Sequence, residues 1–333
     1  MDVPAIDVQN LVRDYGALRA VAGISFQVRR GEIFGFLGPN GAGKTTTVRM
    51  LTTLLEPTSG KAFLNGYDVV QESYAARQQF GLVPEESNLY RELSAIDNLR
   101  FSGRLYLVPA KERERRAREL LALFGLGDRQ QSRVETFSRG MRRKVTIAMA
   151  LVHRPSILFL DEPTAGLDVQ SARAILDLVR QLNAQGTTIF LTTHQIEEAN
   201  QLCDRVAIIH GGRIAAIDAP ERLKRAFESV QSVEVALDPW PADAQETLGA
   251  TVGVTAVAKH GDKLRLYTAD PSHLLPVLVA YAQERGSRLV ALNTLGPSLE
   301  DVFLRITGQP LGARQPEERA EGGPHRGPRG RDR

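Results

Sequence analysis

Residues 38–45 read GPNGAGKT, directly after the apolar run EIFGFL and directly before the helical pattern VRMLTTLL. No other stretch restricts the possible folds so strongly. The spacing G-x-x-x-x-G-K-[ST] between a strand and a helix is a phosphate-binding loop. Gly38, Gly41 and Gly43 let the backbone fold tightly, so successive N–H groups point inward, and the helix adds the positive end of its dipole. Lys44 is placed to reach the β- and γ-phosphates, and the Thr45 hydroxyl to ligate Mg²⁺. Pro39, Asn40, Ala42 and Thr46 complete the nucleotide-contacting stretch. A chance match in a chain of this kind is about one in a hundred. The loop establishes nucleotide binding without saying which NTPase carries it.

A phosphate loop is held by a sheet, and the chain supplies one. AIDVQNLVRDY, GISFQVRR and EIFGFLG alternate as strands with glycine-bearing turns between them. From about Leu93 to Ala150 the pattern is mainly helical and highly charged; KERERRARELLALF sets Glu112 four residues from Arg116 and Glu114 four from Arg118. That run reads as a solvated helix face. Strand and helix then alternate through SILFLDEP, SARAILDLVRQLNAQG, TTIFLTTH and QIEEANQLC, and RVAIIHGGRIAAID forms a hairpin turning at Gly211–Gly212. Alternating β and α elements imply a mostly parallel sheet covered by helices. After about Pro220 the order becomes β-α-β-β-α-β, which predicts a small ferredoxin-like domain closed by the helix SLEDVFLRITG. His260 and His273 read as surface residues there.

Two acids end the strand SILFLDEP. Four apolar residues before them deliver Asp161 and Glu162 to the sheet edge where the phosphate loop lies. Asp161 is positioned to hold Mg²⁺ through water, and Glu162 to polarise the attacking water as general base. Their bland alternative is a pair of helix-capping acids before Pro163. His194 ends the next strand at the same edge, where it can hydrogen-bond a γ-phosphate.

Composition narrows the partners. The 333 residues carry a net charge of +3, and the last 23, LGARQPEERAEGGPHRGPRGRDR, hold six Arg against four acids, which is +2 of it. The rest is close to neutral, which argues against a nucleic-acid footprint. The single cysteine, Cys203, excludes an internal disulfide and reads as a buried small residue. MDVPAIDVQN has no secretory pattern, and runs such as SILFL and IAMALV fall short of the ~18 residues that span a bilayer, so no direct membrane insertion is expected. Residues after about Leu311 read as disordered.

Residues 136–146, TFSRGMRRKVT, place four cations around Ser138 and Gly140 about twenty residues before Asp161. At this point the chain, over residues 3–220, resembles the ATP-binding subunits of ABC transporters. In that family a Ser-Gly-Gly motif at a helix N-terminus grips the γ-phosphate of ATP held on the opposite subunit. FSRGM lines up with it, so Ser138 would supply a hydroxyl and Gly140 a close backbone N–H. Tyr15 matches the aromatic residue that stacks on adenine. TAGLD, ending in Asp168, looks like the loop that crosses the dimer interface, and GLVPEESNLYRELSAIDNL like the loop that leads to the helical subdomain.

Three positions depart from the family. Arg139 replaces the first glycine after the serine, and either points away from the nucleotide or adds charge to the grip; Met141 stands where many relatives have glutamine. Glu85 stands at another position where most of the family has glutamine, and is assigned to the lytic water or to the metal. With YRELSAIDNL and SLEDVFLRITG, the departures resemble the export branch that serves a separate membrane permease, similar to daunorubicin-resistance ATPases. The resemblance implies an ABC-type P-loop ATPase at residues 1–220, with an N-terminal antiparallel β subdomain and a helical subdomain at 86–150. A small α+β domain follows at 221–309 and a tail at 310–333. It further implies a head-to-tail homodimer on the cytoplasmic face of the membrane, with ATP and Mg²⁺ between Gly38–Thr45 of one copy and Ser138–Gly140 of the other. An importer ATPase, or a soluble ABC ATPase outside transport, is the alternative.

Overall fold

The computed structural model describes residues 3–226, 231–296 and 298–307. In chain order, β1 (Ile6–Tyr15) and β2 (Leu18–Val28) form a hairpin, and β3 (Ile33–Leu37) leads through the phosphate loop into α1 (Lys44–Leu51). Residues 59–83 carry elements that the alternation does not reveal: β4 (Ser59–Leu64), β5 (Tyr67–Asp68), α2 (Ser73–Gln79) and β6 (Phe80–Val83). Helices α3 (Ala95–Leu105), α4 (Ala110–Leu123) and α5 (Arg139–Ala150) follow. Next come β7 (Ile157–Asp161), α6 (Val169–Ala184), β8 (Thr188–Thr193), α7 (Ile196–Leu202), β9 (Arg205–His210), β10 (Arg213–Asp218) and α8 (Pro220–Arg225). The last part is β11 (Gln231–Asp238), α9 (Ala244–Gly249), β12 (Val254–His260), β13 (Lys263–Thr268), α10 (Pro271–Glu284), β14 (Arg288–Leu295) and α11 (Leu299–Thr307).

Two sheets make the front of the molecule. The antiparallel one has the order β2-β1-β4-β5, and the larger one β10-β9-β3-β8-β7-β6, parallel from β9 to β6 with β10 antiparallel at the edge. β3 and β7 are buried at all five positions, as central strands covered on both faces must be. Phe26 from the first sheet stacks on Phe34 and Phe190 of the second at 5.4 and 6.0 Å between ring centres. The opposite face of the large sheet carries α5, α6 and α7 on a second core.

The hairpin at Gly211–Gly212 is present as read from the sequence. In α4 the charges pair differently from the expectation. Glu114 meets Arg118 at 2.8 Å, but Glu112 reaches Arg115 and Arg154 instead of Arg116, whose guanidinium lies 3.8 Å from Glu119. Residues three and four apart are both neighbours on a helix, so spacing alone does not choose between them.

The third sheet has the order β12-β13-β11-β14, antiparallel throughout, with α9 and α10 packed on one face. α11 then turns back. Its Leu299, Val302 and Phe303 join the core of the large sheet rather than that of the third one. Arg265 on β13 holds the start of this helix through a buried ion pair with Asp301 at 2.9 Å. The tail read as disordered lies outside the described residues.

Candidate active site

The apolar strand β3 ends at Leu37 and delivers the phosphate loop to the sheet edge. Gly43 caps α1 at φ 104°, a left-handed conformation that side chains resist, and a β-carbon there would lie 2.6 Å from the Ala20 carbonyl oxygen. At Gly38 a β-carbon would lie 2.5 Å from the Ile209 carbonyl. The loop is therefore clamped between β2 and β9, and only glycine fits at either end.

Beside the loop lies a cleft of about 330 Å³. It is lined by Tyr15, Leu18 and Ala20 of the first hairpin, by Pro39, Asn40, Gly41, Gly43, Lys44, Thr45 and Thr46 of the loop and the start of α1, and by Glu85, Glu162 and His194. Aromatic and apolar side chains beside a phosphate loop in one cleft suit a nucleotide. Tyr15 is partly exposed and carries the Arg13 guanidinium 4.8 Å from its ring centre.

Charged groups meet around Lys44. The Lys44 ammonium donates to the carbonyls of Gly38 at 2.8 Å and Pro39 at 3.2 Å, and lies 3.3 Å from Glu162 Oε1. The other Glu162 oxygen accepts from His194 Nδ1 at 2.8 Å, which fixes the donating nitrogen while the acid is ionised. Thr45 donates to Asp161 Oδ1 at 3.3 Å, and Thr192 donates to the same oxygen at 2.5 Å. Thr192 Oγ1 in turn accepts the backbone N–H of Glu162, whose φ of 47° turns the chain sharply out of β7. A hydroxyl beside a buried carboxylate gives the hard oxygen donors that Mg²⁺ prefers, so these residues fit that ion.

Ser138, Gly140 and Asp168 do not line the cleft. Ser138 caps α5 and accepts from the Met141 N–H at 3.2 Å. Asp168 caps α6, and the hydrogen bonds from Ser171 hold its carboxyl below its ordinary pKa. The two helix starts touch: a β-carbon on Gly140 would lie 2.6 Å from Ser171 Oγ, and Arg139 donates to the Gly166 carbonyl at 3.2 Å. Arg139 thus reaches the TAGLD loop of its own chain.

Besides Thr192, two residues of this neighbourhood escape the sequence argument. Glu198, buried on α7, accepts from Thr164 and from Thr193 at 2.9 Å, and so joins the loops after β7 and β8; burial raises its pKa. Arg143 lies buried under the ends of β6 and β7. Its signal was available: it shares the inward face of α5 with Gly140 and Ile147, at helical spacing.

A family model described as ABC transporter matches residues 21–165. The linearmycin resistance ATP-binding protein LnrL of Bacillus subtilis is 37% identical over 92% of this chain and 99% of its own length. The daunorubicin/doxorubicin resistance ATP-binding protein DrrA of Streptomyces peucetius is 39% identical over 95% and 96%. Among solved structures, a dimeric ATP-binding cassette in a post-hydrolysis state with ADP and phosphate superposes with a TM-score of 0.58 at 25% identity, covering 64% of this chain and 98% of that one.

Proposed function

The chain belongs to the ATP-binding proteins of ABC transporters, and from that premise we propose how its residues hydrolyse ATP and what the hydrolysis drives. It is the ATPase subunit of an exporter and works as a dimer with a separate membrane permease. Among the described residues no helix is long and apolar enough to cross a membrane. Relatives named for resistance to linearmycin and to daunorubicin support an antibiotic or other hydrophobic compound as the cargo. The importer and non-transport alternatives find no such support.

One observation carries the site reading. The cleft is lined by Lys44, Thr45, Glu85, Glu162 and His194, whereas Ser138 and Gly140, at the start of α5, do not line it. A second copy, turned head to tail, would bring its own Ser138 and Gly140 over the cleft. Tyr15 stacks on the base, and the loop N–H groups with Lys44 hold the phosphates. Thr45 and Asp161 would hold Mg²⁺, which neutralises phosphate charge during transfer. Glu162 accepts the proton of the attacking water, and His194, when protonated at both ring nitrogens, orients Glu162 from Nδ1 and donates from Nε2 to the γ-phosphate. Glu85, which also lines the cleft, positions the water and communicates with the permease through residues 85–99.

For the domains, we read residues 1–220 as the ATP-binding unit, with 86–150 as its helical subdomain, and 221–309 as a ferredoxin-like unit. The order β12-β13-β11-β14 with both helices on one face supports the last assignment. Permease binding would hold the protein at the cytoplasmic face of the membrane.

Sedimentation of Glu162→Gln with saturating ATP and Mg²⁺ tests the composite site. A dimer that dissolves when Ser138→Arg is added is expected. A strictly single chain at high concentration with the permease present would overturn the reading.

A further inference from the structure

Arg143 is a buried cation held by carbonyls alone. Its Nε donates to Pro163 O at 2.9 Å; one terminal nitrogen donates to Asp161 O at 2.8 Å and Glu162 O at 3.1 Å; the other donates to Pro84 O and to Glu85 O at 3.2 Å. Among the described residues no carboxylate lies within ion-pair distance of it. Burial pushes its pKa down to about 10, a sign of how little solvent stabilises the charge.

A guanidinium so placed is costly to bury, and packing alone would be served better by an apolar residue. What it provides is five donors in one rigid plane, which no other side chain offers. Those donors fasten the backbone of Asp161 and Glu162 to the first residues of the Glu85 segment. The fastening point belongs to α5, whose N-cap is Ser138. Five residues of helix, about 7.5 Å of rise, separate them. A helix transmits displacement with little loss over that length.

We propose that Arg143 is a positioning residue for hydrolysis: through the rigid start of α5 it links the grip of Ser138 on the partner's nucleotide to the placement of Glu162 in its own cleft. The proposal rests on the two-copy reading above. Each chain would then sense, at Ser138, the nucleotide bound to its partner, and adjust, at Arg143, the acid that acts on its own. The same guanidinium passes any movement of the 84–85 backbone to Glu162, so permease and partner nucleotide converge on one side chain. Glu162 is suited to respond because its φ of 47° lies in a sparsely populated region that its surroundings must enforce.

The test uses the full chain with its permease and compares Arg143→Gln and Arg143→Lys with the parent. Three quantities are read: kcat and the Hill coefficient for ATP, nucleotide affinity of the isolated chain, and Tm. We expect Arg143→Gln to lower kcat by about 10- to 100-fold and bring the Hill coefficient from above one to one. Nucleotide affinity should stay within about threefold. Arg143→Lys, with three donors on one point, should recover part of kcat and little of the cooperativity. A Hill coefficient and kcat equal to the parent's in either variant would overturn the proposal. So would losses of kcat, affinity and Tm in proportion in both variants, which mark a packing role. The dimer of Glu162→Gln is the control: if it forms while Arg143→Gln leaves cooperativity intact, only the coupling fails. If it never forms, the two-copy reading fails too.

Discussion

Lys44 Nζ lies 3.3 Å from Glu162 Oε1, and both side chains are nearly sealed from water at 6% and 7% exposed. The ammonium proposed for phosphate and the carboxylate proposed for water face each other across this contact. Bound phosphates would draw Lys44 away and leave Glu162 with His194 alone. Glu162→Gln should therefore lower kcat at least about 100-fold, by removing the base. Nucleotide affinity should hold or rise, because a neutral amide competes less for Lys44. Steady-state ATPase assays and a fluorescent-nucleotide titration check both; an unchanged kcat would remove Glu162 from the role.

Ser138 is a helix cap, and we propose it also as a phosphate ligand; the two roles separate by readout. Ser138→Arg should abolish ATPase activity while the single chain still binds ATP at the Lys44 loop. Loss of the cap costs only about 1 kcal/mol, so Tm should move by a few degrees. A phosphate-loop protein that acts as a monomer would tolerate the change.

Glu85 lines the cleft, at a position where the family resemblance implies a glutamine. Glu85→Gln restores the amide donor and removes a negative charge near the phosphates. ATPase activity should stay the same or increase. A loss as deep as that of Glu162→Gln would make Glu85 the more important acid.

In the helical part, Arg100 reaches Glu114 at 2.7 Å and Asp97 at 2.8 Å, which ties α3 to α4. Arg100, then Arg118, hold the Glu114 carboxyl at about 2, below its ordinary 4.5. A depressed carboxylate adds stability above its unfolded pKa and loses it as pH falls toward the folded one. Thermal melts of the parent should thus weaken progressively from about pH 4.5 downward. Glu114→Gln should lower Tm at neutral pH and shrink that acid-driven loss. Parallel Tm curves for the two proteins would reject the link.

The buried pair Arg265–Asp301 joins the third sheet to α11, and Asp301 also accepts from the Ser298 N–H at 2.7 Å. Arg265→Met strands a buried carboxylate and should cost about 3–5 kcal/mol in urea unfolding of the C-terminal part. Replacing both, with Asp301→Leu added, should recover much of it. A double variant no better than the single one would mean that the Asp301 cap outweighs the ion pair.

The phosphate loop, the acids at the end of β7 and His194 were legible because each comes at the end of a short apolar strand that reaches one sheet edge. The β-α-β-β-α-β order was legible for the same reason: strand and helix periods differ. The destination of α11 was not. SLEDVFLRITG reads as a helix, but that its Leu299 and Phe303 pack on the ATPase core is a contact between residues far apart in sequence. Arg143 was hidden by its company. Among four neighbouring cations, composition suggests a solvated surface, and only the helix face distinguishes the one that turns inward. Thr192 and Glu198 were invisible because their hydrogen bonds cross between loops.

Gly35 in β3 has a consequence for experiments. A β-carbon there would lie 2.6 Å from Cys203 Sγ, so the chain's only thiol is pressed against a bare stretch of the central strand, and burial raises its pKa. Thiol reagents should ignore the native protein and modify it only when that strand separates from α7. Engineered cysteines on either face of the dimer could then be labelled selectively without first deleting the natural one, whose slow labelling would report the opening of the sheet.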